Sequence, residues 1–239
     1  MIVRWGTLAL AGVVALSATG MAGSAARADY PYFCGAKQGR YIALTFDDGP
    51  GSTTPSVLRT LRRFHAHATF FVLGQNVAGR GALIRQEKAL GEVGNHSWSH
   101  PDLTKYSAAG VADQLRRTQA AIRGAGGGRA TVFRPPYGAH NPTVDAEARS
   151  LGVKEILWSI DSYDSRGYST ANIAHTVLKL VQPGAIILMH DVIPASVRAL
   201  PRILRVLQHR KSQLVTVTQL LKRNPPSLSR RKQGFQGCY

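Results

Sequence analysis

An α/β fold, with a parallel sheet curled into a reduced or distorted barrel, follows from three observations. Short apolar runs alternate with helix-like stretches along most of the chain, and this alternation places helices outside a parallel sheet. The strand-like runs fall within about 190 residues, somewhat short for a full eight-stranded barrel. Five of these runs end in reactive polar side chains, which a parallel barrel gathers on one rim. The chain has 239 residues, 44% apolar and 18% charged, with 24 Gly and 12 Pro. That composition is globular and excludes collagen-like, coiled-coil and wholly disordered chains.

Residues 1–28 read as an export signal. Arg4 begins it, an unbroken apolar stretch follows at 8–16, and Ala26-Arg27-Ala28 has the form of a cleavage site. The apolar stretch falls short of the ~20 residues that span a bilayer. The expectation is a secreted protein, not an integral membrane one. Residues 29–40 form an N-terminal extension. Two cysteines are too few for a disulfide scaffold. In an oxidising compartment Cys34 and Cys238 can pair and fasten the termini, or they remain as two free thiols.

The strand candidates are 41–46, 68–72, 92–96, 131–134, 154–160, 185–190 and 213–216. Between them, Thr54-Pro55 opens a helix to about Phe64. Ser107 caps a long one that Gly126, Gly127 and Gly128 stop near Ala125. Asn141-Pro142 opens another, closed by Gly152. Ser169 or Thr170 begins one that stops before Pro183-Gly184, and a last long one covers 197–209. The folded domain is set at 41–221. Asn224-Pro225-Pro226 ends any helix, and 222–239 reads as an irregular basic tail. No acidic residue follows Asp191, while ten Lys and Arg do. The chain carries a net charge of +17. Such a charge suits an anionic surface; with export, cell-wall polymer or membrane is favoured and nucleic acid is not.

The strand ends carry the chemistry. After the first come Asp47 and Asp48, in an Asp-Asp-Gly-Pro run that is also a common turn. Adjacent carboxylates on extended backbone point different ways, so one can hold a metal while its neighbour handles a proton. The third ends in His96 and His100. A His-x-x-x-His spacing places two imidazoles on one side of a helical turn; Ser97 stands where a metalloprotease helix needs Glu. Alone, two surface histidines explain that pair. With Asp48 they make a two-His, one-carboxylate set that leaves coordination positions open. The fourth strand ends in Arg134-Pro135-Pro136-Tyr137, the fifth in Asp161 to Asp164, the sixth in Leu188-Met189-His190.

In order, these five motifs resemble those of the polysaccharide deacetylase family, which shares the NodB-homology domain and is similar to carbohydrate esterase family 4. The likeness covers 41–221. It implies a distorted (β/α)7 barrel of the NodB type and metal-dependent removal of acetyl groups from sugar polymers. Asp48, His96 and His100 match the metal ligands; zinc is favoured, with cobalt, nickel or manganese able to serve. Asp47 matches the general base and Arg134 the residue that orients it. His190 matches the general acid and Asp164 the group that holds it cationic. The Tyr137 amide matches an oxyanion donor, and Leu188 the wall around the acetyl methyl. Where the family often has Trp after Asp164, this chain has Ser165. Trp98, Tyr163 and Tyr168 are then the candidates for a sugar-stacking surface, with a core role open for Trp98. Segment 117–138 also resembles acetylxylan esterases of the family. The substrate expected is an acetylated polysaccharide: N-acetylglucosamine polymer, with O-acetylated xylan as the alternative and an inactive carbohydrate-binding protein behind both. No Gly-x-Ser-x-Gly elbow of a serine hydrolase occurs.

Overall fold

In the computed structural model, residues 1–2 and 31–238 are described. The export signal expected at 1–28 falls almost entirely outside them. All paired strands are parallel. β1 (Tyr41–Asp47) lies centrally between β2 (Ala68–Val72) and β7 (Ile186–His190). From β2 the sheet continues through β3 (Gly91–Asn95) and β4 (Val132–Phe133) to β5 (Lys154–Glu155). From β7 it continues to β6 (Ile160–Asp161). β8 (Gln213–Val215) pairs with the start of β1. The sheet curls into a distorted barrel whose two edge strands, β5 and β6, are joined by 156–159.

The helices are α1 (Thr54–Arg63), α2 (Gly74–Val77), α3 (Gly81–Leu90), α4 (Ala108–Gly124), α5 (Pro142–Ser150), α6 (Thr170–Leu180), α7 (Pro194–His209), α8 (Val217–Arg223) and α9 (Leu228–Lys232); α1, α3, α6 and α7 pack on the outer face of the sheet, whereas Val217, Leu220 and Leu221 of α8 pack against its inner face with Ala43, Phe71, Val132 and Ile186. The main core fills the space between the sheet and the outer helices, with Phe46, Phe70, Leu58, Leu61, Ile203 and Leu204 buried in it. Phe46 stacks on Phe70 at 5.6 Å between centroids. Ser107, Asn141 and Ser169 cap α4, α5 and α6 through their side-chain oxygens, which accept backbone N–H groups left open by the first turn.

Three sequence expectations change. The single strand at 154–160 is two. Ile156 N–H bonds Phe133 O, Leu157 N–H bonds Tyr32 O and Ser159 N–H bonds Ile186 O, so the segment passes from β4 to β7 by way of the N-terminal extension. The tail is not irregular. α8 runs through Arg223, past the boundary set at 221, and α9 follows Pro225-Pro226. Arg231 lies over the Tyr32 ring at 3.8 Å, and Cys238 is disulfide-bonded to Cys34. The extension and the chain end thus brace the seam between the edge strands. Finally, α2 and α3, absent from the sequence reading, fill the stretch between β2 and β3. Their apolar positions lack a long period, and a glycine opens each.

Candidate active site

The C-terminal ends of the strands open on a cleft of about 380 Å³. Asp47, Asp48, His96, His100, Tyr137, Leu188 and His190 all line it, with Trp158, Asp161, Ser165 and Arg166. Residues from six separate strand ends meet because parallel strands deliver their carboxyl ends to one rim.

Asp47 closes β1 and is buried. Its Oδ1 accepts a hydrogen bond from Arg134 Nη1 at 2.7 Å. Arg134 is wholly buried and donates three further bonds: Nη1 to Thr45 Oγ1 at 2.8 Å, Nε to Ile156 O at 3.2 Å, Nη2 to Leu157 O at 3.1 Å. The break in the strand at 156–159 therefore has a use, since carbonyls freed from the ladder receive the guanidinium. Phe71 flanks it at 4.3 Å. Burial pushes the Asp47 carboxyl up, and the Arg134 charge pulls against that rise.

Asp48 sits at φ 72° in the left-handed region, and its Oδ1 and Asp47 Oδ2 approach His96 Nε2 at 3.5 and 3.6 Å. The turn beyond it is held from beneath. Gly51 N–H bonds Thr54 Oγ1 at 2.8 Å, Thr54 bonds the buried Asp191 carboxylate, and a side chain on Gly49 would collide with that carboxylate.

The histidine pair does not lie on a helical turn. Ser97 and His100 have φ of 69° and 62°, and the loop is fixed by side chains. Asn95 Oδ1 accepts Ser97 N–H, Ser97 Oγ accepts His100 N–H, and Gln114 Oε1, from α4, accepts the N–H groups of Trp98 and Ser99. His96 Nδ1 donates to Arg134 O at 2.7 Å, which leaves the Nε2 lone pair facing the cleft. Burial pushes the imidazole down to about 3 against the pull of Asp48, so it is neutral at physiological pH.

A divalent metal fits this set. Donor atoms of Asp48, His96 and His100 lie within 4.8 Å of one another. Asp48 Oδ1 stands 3.5 Å from both His96 Nε2 and His100 Nε2 and is buried without a hydrogen-bond partner. A buried acceptor is rarely left so, and two imidazoles with a carboxylate are a metal donor set.

Across the cleft, His190 Nδ1 donates to Asp164 Oδ1 at 2.7 Å, and its own N–H bonds Asp164 Oδ2 at 2.8 Å. Ser196 bonds the same Oδ2. Burial is the largest single influence on the His190 pKa and lowers it, but the hydrogen bond to Asp164, the Asp164 charge and the charges of Asp47 and Asp48 together outweigh it, and the imidazole is raised to about 9. Burial likewise pushes Asp164 up; the His190 side-chain bond and charge, the Ser196 hydroxyl and the His190 backbone N–H together more than reverse it and leave the carboxyl below its usual range. His190 Nε2 faces inward, 3.9 Å from Asp48 Oδ2.

Tyr137 stands at φ 61° in Pro136–Gly138, 70% exposed, its ring edge-on to His100 at 4.6 Å. Leu188 forms apolar wall. Among the described residues, five of the seven non-glycine positions with positive φ are Asp48, Ser97, His100, Tyr137 and Tyr163; strained backbone concentrates here, as at functional sites generally. Trp98 is not on the cleft. It packs against Gly74 beneath Arg117, whose guanidinium lies 4.2 Å above the ring. Tyr163 and Tyr168 pack on each other, 5.3 Å apart. The aromatic walls are Trp158 and Tyr137. Gln114, Ser196, Thr45 and Trp158 escaped sequence reading because their work depends on contacts distant in sequence.

The polysaccharide deacetylase family model matches residues 35–156. The chain is 42% identical over 187 residues to the peptidoglycan-N-acetylglucosamine deacetylase PgdA of Listeria monocytogenes, covering 77% of this chain and 40% of that protein. It is 36% identical over 198 residues to a chitooligosaccharide deacetylase of Bradyrhizobium, covering 76% and 90%. The structure superposes on a family 4 carbohydrate esterase from Streptomyces lividans in complex with acetate, with a TM-score of 0.70 and 40% identity, covering 72% of this chain and 90% of that one. The chain spans 23% and 40% of the length of the first two curated relatives it matches.

Proposed function

Since the chain belongs to the polysaccharide deacetylase family, we propose that it is a secreted, metal-dependent hydrolase that removes N-acetyl groups from N-acetylglucosamine-containing polymers. The observation that carries this reading is the pair of oppositely built charge couples, Asp47–Arg134 and His190–Asp164, facing one cleft across a metal donor set.

Asp48, His96 and His100 would hold a divalent ion, zinc by preference; when bound there, it supplies Lewis acidity to water and to the acetyl carbonyl. Arg134 occupies Asp47 Oδ1 and so leaves Oδ2 to take the proton of the attacking water. The Tyr137 backbone N–H stabilises the negative charge that develops on the carbonyl oxygen. His190 Nε2, protonated through neutral pH, gives its proton to the departing sugar amine. Leu188 and Trp158 bound the space for the acetyl group and the sugar. The Cys34–Cys238 disulfide supports work in an oxidising compartment outside the cell.

A second reading, O-deacetylation, draws support from Ser165 and Arg166 on the cleft wall, which make it polar and open where the family often has Trp. The same residues cleave an ester, with His190 protonating an alkoxide. Acetate release is measured on peptidoglycan, chitooligosaccharide and acetylated xylan side by side, with and without chelator. Release from the amide substrates that chelation abolishes and zinc restores is expected. Full turnover in demetallated enzyme overturns the metal role, and release from xylan alone overturns the N-deacetylase reading.

A further inference from the structure

Three residues outside the cleft form a second cluster. His140 follows the Tyr137 loop, Asp145 lies in the first turn of α5, and Glu155 ends β5. His140 Nδ1 is 3.1 Å from Asp145 Oδ1 and 3.6 Å from Glu155 Oε1. One N–H cannot serve two carboxylates, and the shorter contact takes it. Glu155 is 92% buried, since its relative exposure is 8%, and Oε1, the oxygen that faces His140, has no hydrogen-bond partner. Burial and then Asp145 push this carboxyl up to about 8. Arg149 eases that rise, and Arg149 and Arg231 both line the recess that Asp145 and Glu155 share. With Glu155 so raised, a proton shared with Asp145 stands between the two carboxyls at neutral pH, and a divalent cation reaching the same oxygens would displace it.

We propose that His140, Asp145 and Glu155 bind a second divalent first-row transition ion, separate from the cleft. The donor atoms lie within 4.8 Å of one another. Ligand distances near 2.0–2.2 Å place donors up to about 4 Å apart around a common ion, so only a small contraction is needed. One nitrogen and two carboxylate oxygens suit zinc or manganese, and the partly exposed His140 leaves a path for the ion. The site ties together three pieces of chain. Glu155 pairs in register with Phe133, the residue before Arg134, and His140 stands three residues beyond Tyr137. A bound ion therefore clamps the Arg134–Tyr137 loop against α5 and β5. Its role is positional: it holds the segment that carries the guanidinium and the backbone donor.

Equilibrium dialysis against zinc, followed by elemental analysis, tests this on the full chain. Expected are two ions per wild-type chain, one in Asp48→Asn/His100→Ala, one in His140→Ala, and none in the combined variant. Glu155→Gln preserves shape and is expected to match His140→Ala, with circular dichroism confirming that each variant folds. In Asp48→Asn/His100→Ala, zinc at ~100-fold over its dissociation constant is expected to raise Tm by about 5–10 °C, a shift lost when His140→Ala is added. One ion in wild type that persists in both His140→Ala and Glu155→Gln, with no zinc-dependent Tm shift in Asp48→Asn/His100→Ala, overturns the proposal. One ion that is lost in His140→Ala but kept in Asp48→Asn/His100→Ala upholds it and removes the metal from the cleft.

Discussion

The two walls of the cleft solve one problem in opposite ways. On one wall an acid, Asp47, is buried beside a fully buried cation, Arg134, which also donates to Thr45 and to two carbonyls of the broken strand. On the other a base, His190, is buried beside an anion, Asp164, that Ser196 also supports. Burial alone would neutralise both groups. Each partner opposes it: Arg134 favours the Asp47 carboxylate, and Asp164 makes an imidazolium of His190 up to about pH 9. Environments that push two titratable groups toward opposite charge states are how one cleft holds a proton acceptor and a proton donor together.

Removing the members of this contrast ranks their contributions. The largest effect is expected at the acceptor. Asp47→Asn should lower kcat by ~100- to 10,000-fold and retain bound zinc, whereas Asp48→Asn should lose both, as elemental analysis beside kinetics will show. Equal metal loss in the two variants would mean that the neighbouring carboxylates have been assigned the wrong way round.

Arg134→Ala leaves Asp47 buried and unpaired. A stability loss of about 3–5 kcal/mol is expected in urea unfolding. The Asp47 pKa should rise further, because burial then acts without its opponent, and the acid limb of kcat should move to higher pH. Arg134→Lys should recover only part of the loss, since an ammonium cannot reach four acceptors in a planar fork.

Asp164→Asn attacks the other wall. The His190 pKa should fall, because the burial that lowers it remains while the anion that raises it is gone. The alkaline limb of kcat then moves to lower pH, and beyond it the rate drops about tenfold per pH unit. An unmoved alkaline limb would remove His190 from the donor role. The smallest effect is expected from Ser196→Ala, about 0.5–1.5 kcal/mol of stability with a slight acid shift of the same limb; Asp164 keeps both of its bonds from His190.

Much of the site was legible in the chain because strand ends advertise themselves. Asp47, Asp48, Arg134, Asp164 and His190 each follow an apolar run and precede a turn or a proline, and a parallel barrel must bring such positions to one rim. The same local signals named α1, α4, α5 and α6, whose openings carry Pro or a capping oxygen. Three-dimensional packing decided the rest. The spacing of His96 and His100 suggested a helical turn, yet Asn95, Ser97 and Gln114 hold them on a positive-φ loop, and Gln114 arrives from a helix that begins only later in the chain. Residues 154–160 have the apolar pattern of one strand, but the two ends of the segment pair with different neighbours and Arg134 claims the carbonyls between. Trp98 and Trp158 cannot be ranked by composition; only the path of the backbone puts the second on the cleft and the first against α2. Local sequence determines which backbone conformations are cheap and which faces are apolar. Which distant donor meets which acceptor is settled when the sheet closes, because those bonds form between groups that no local pattern links.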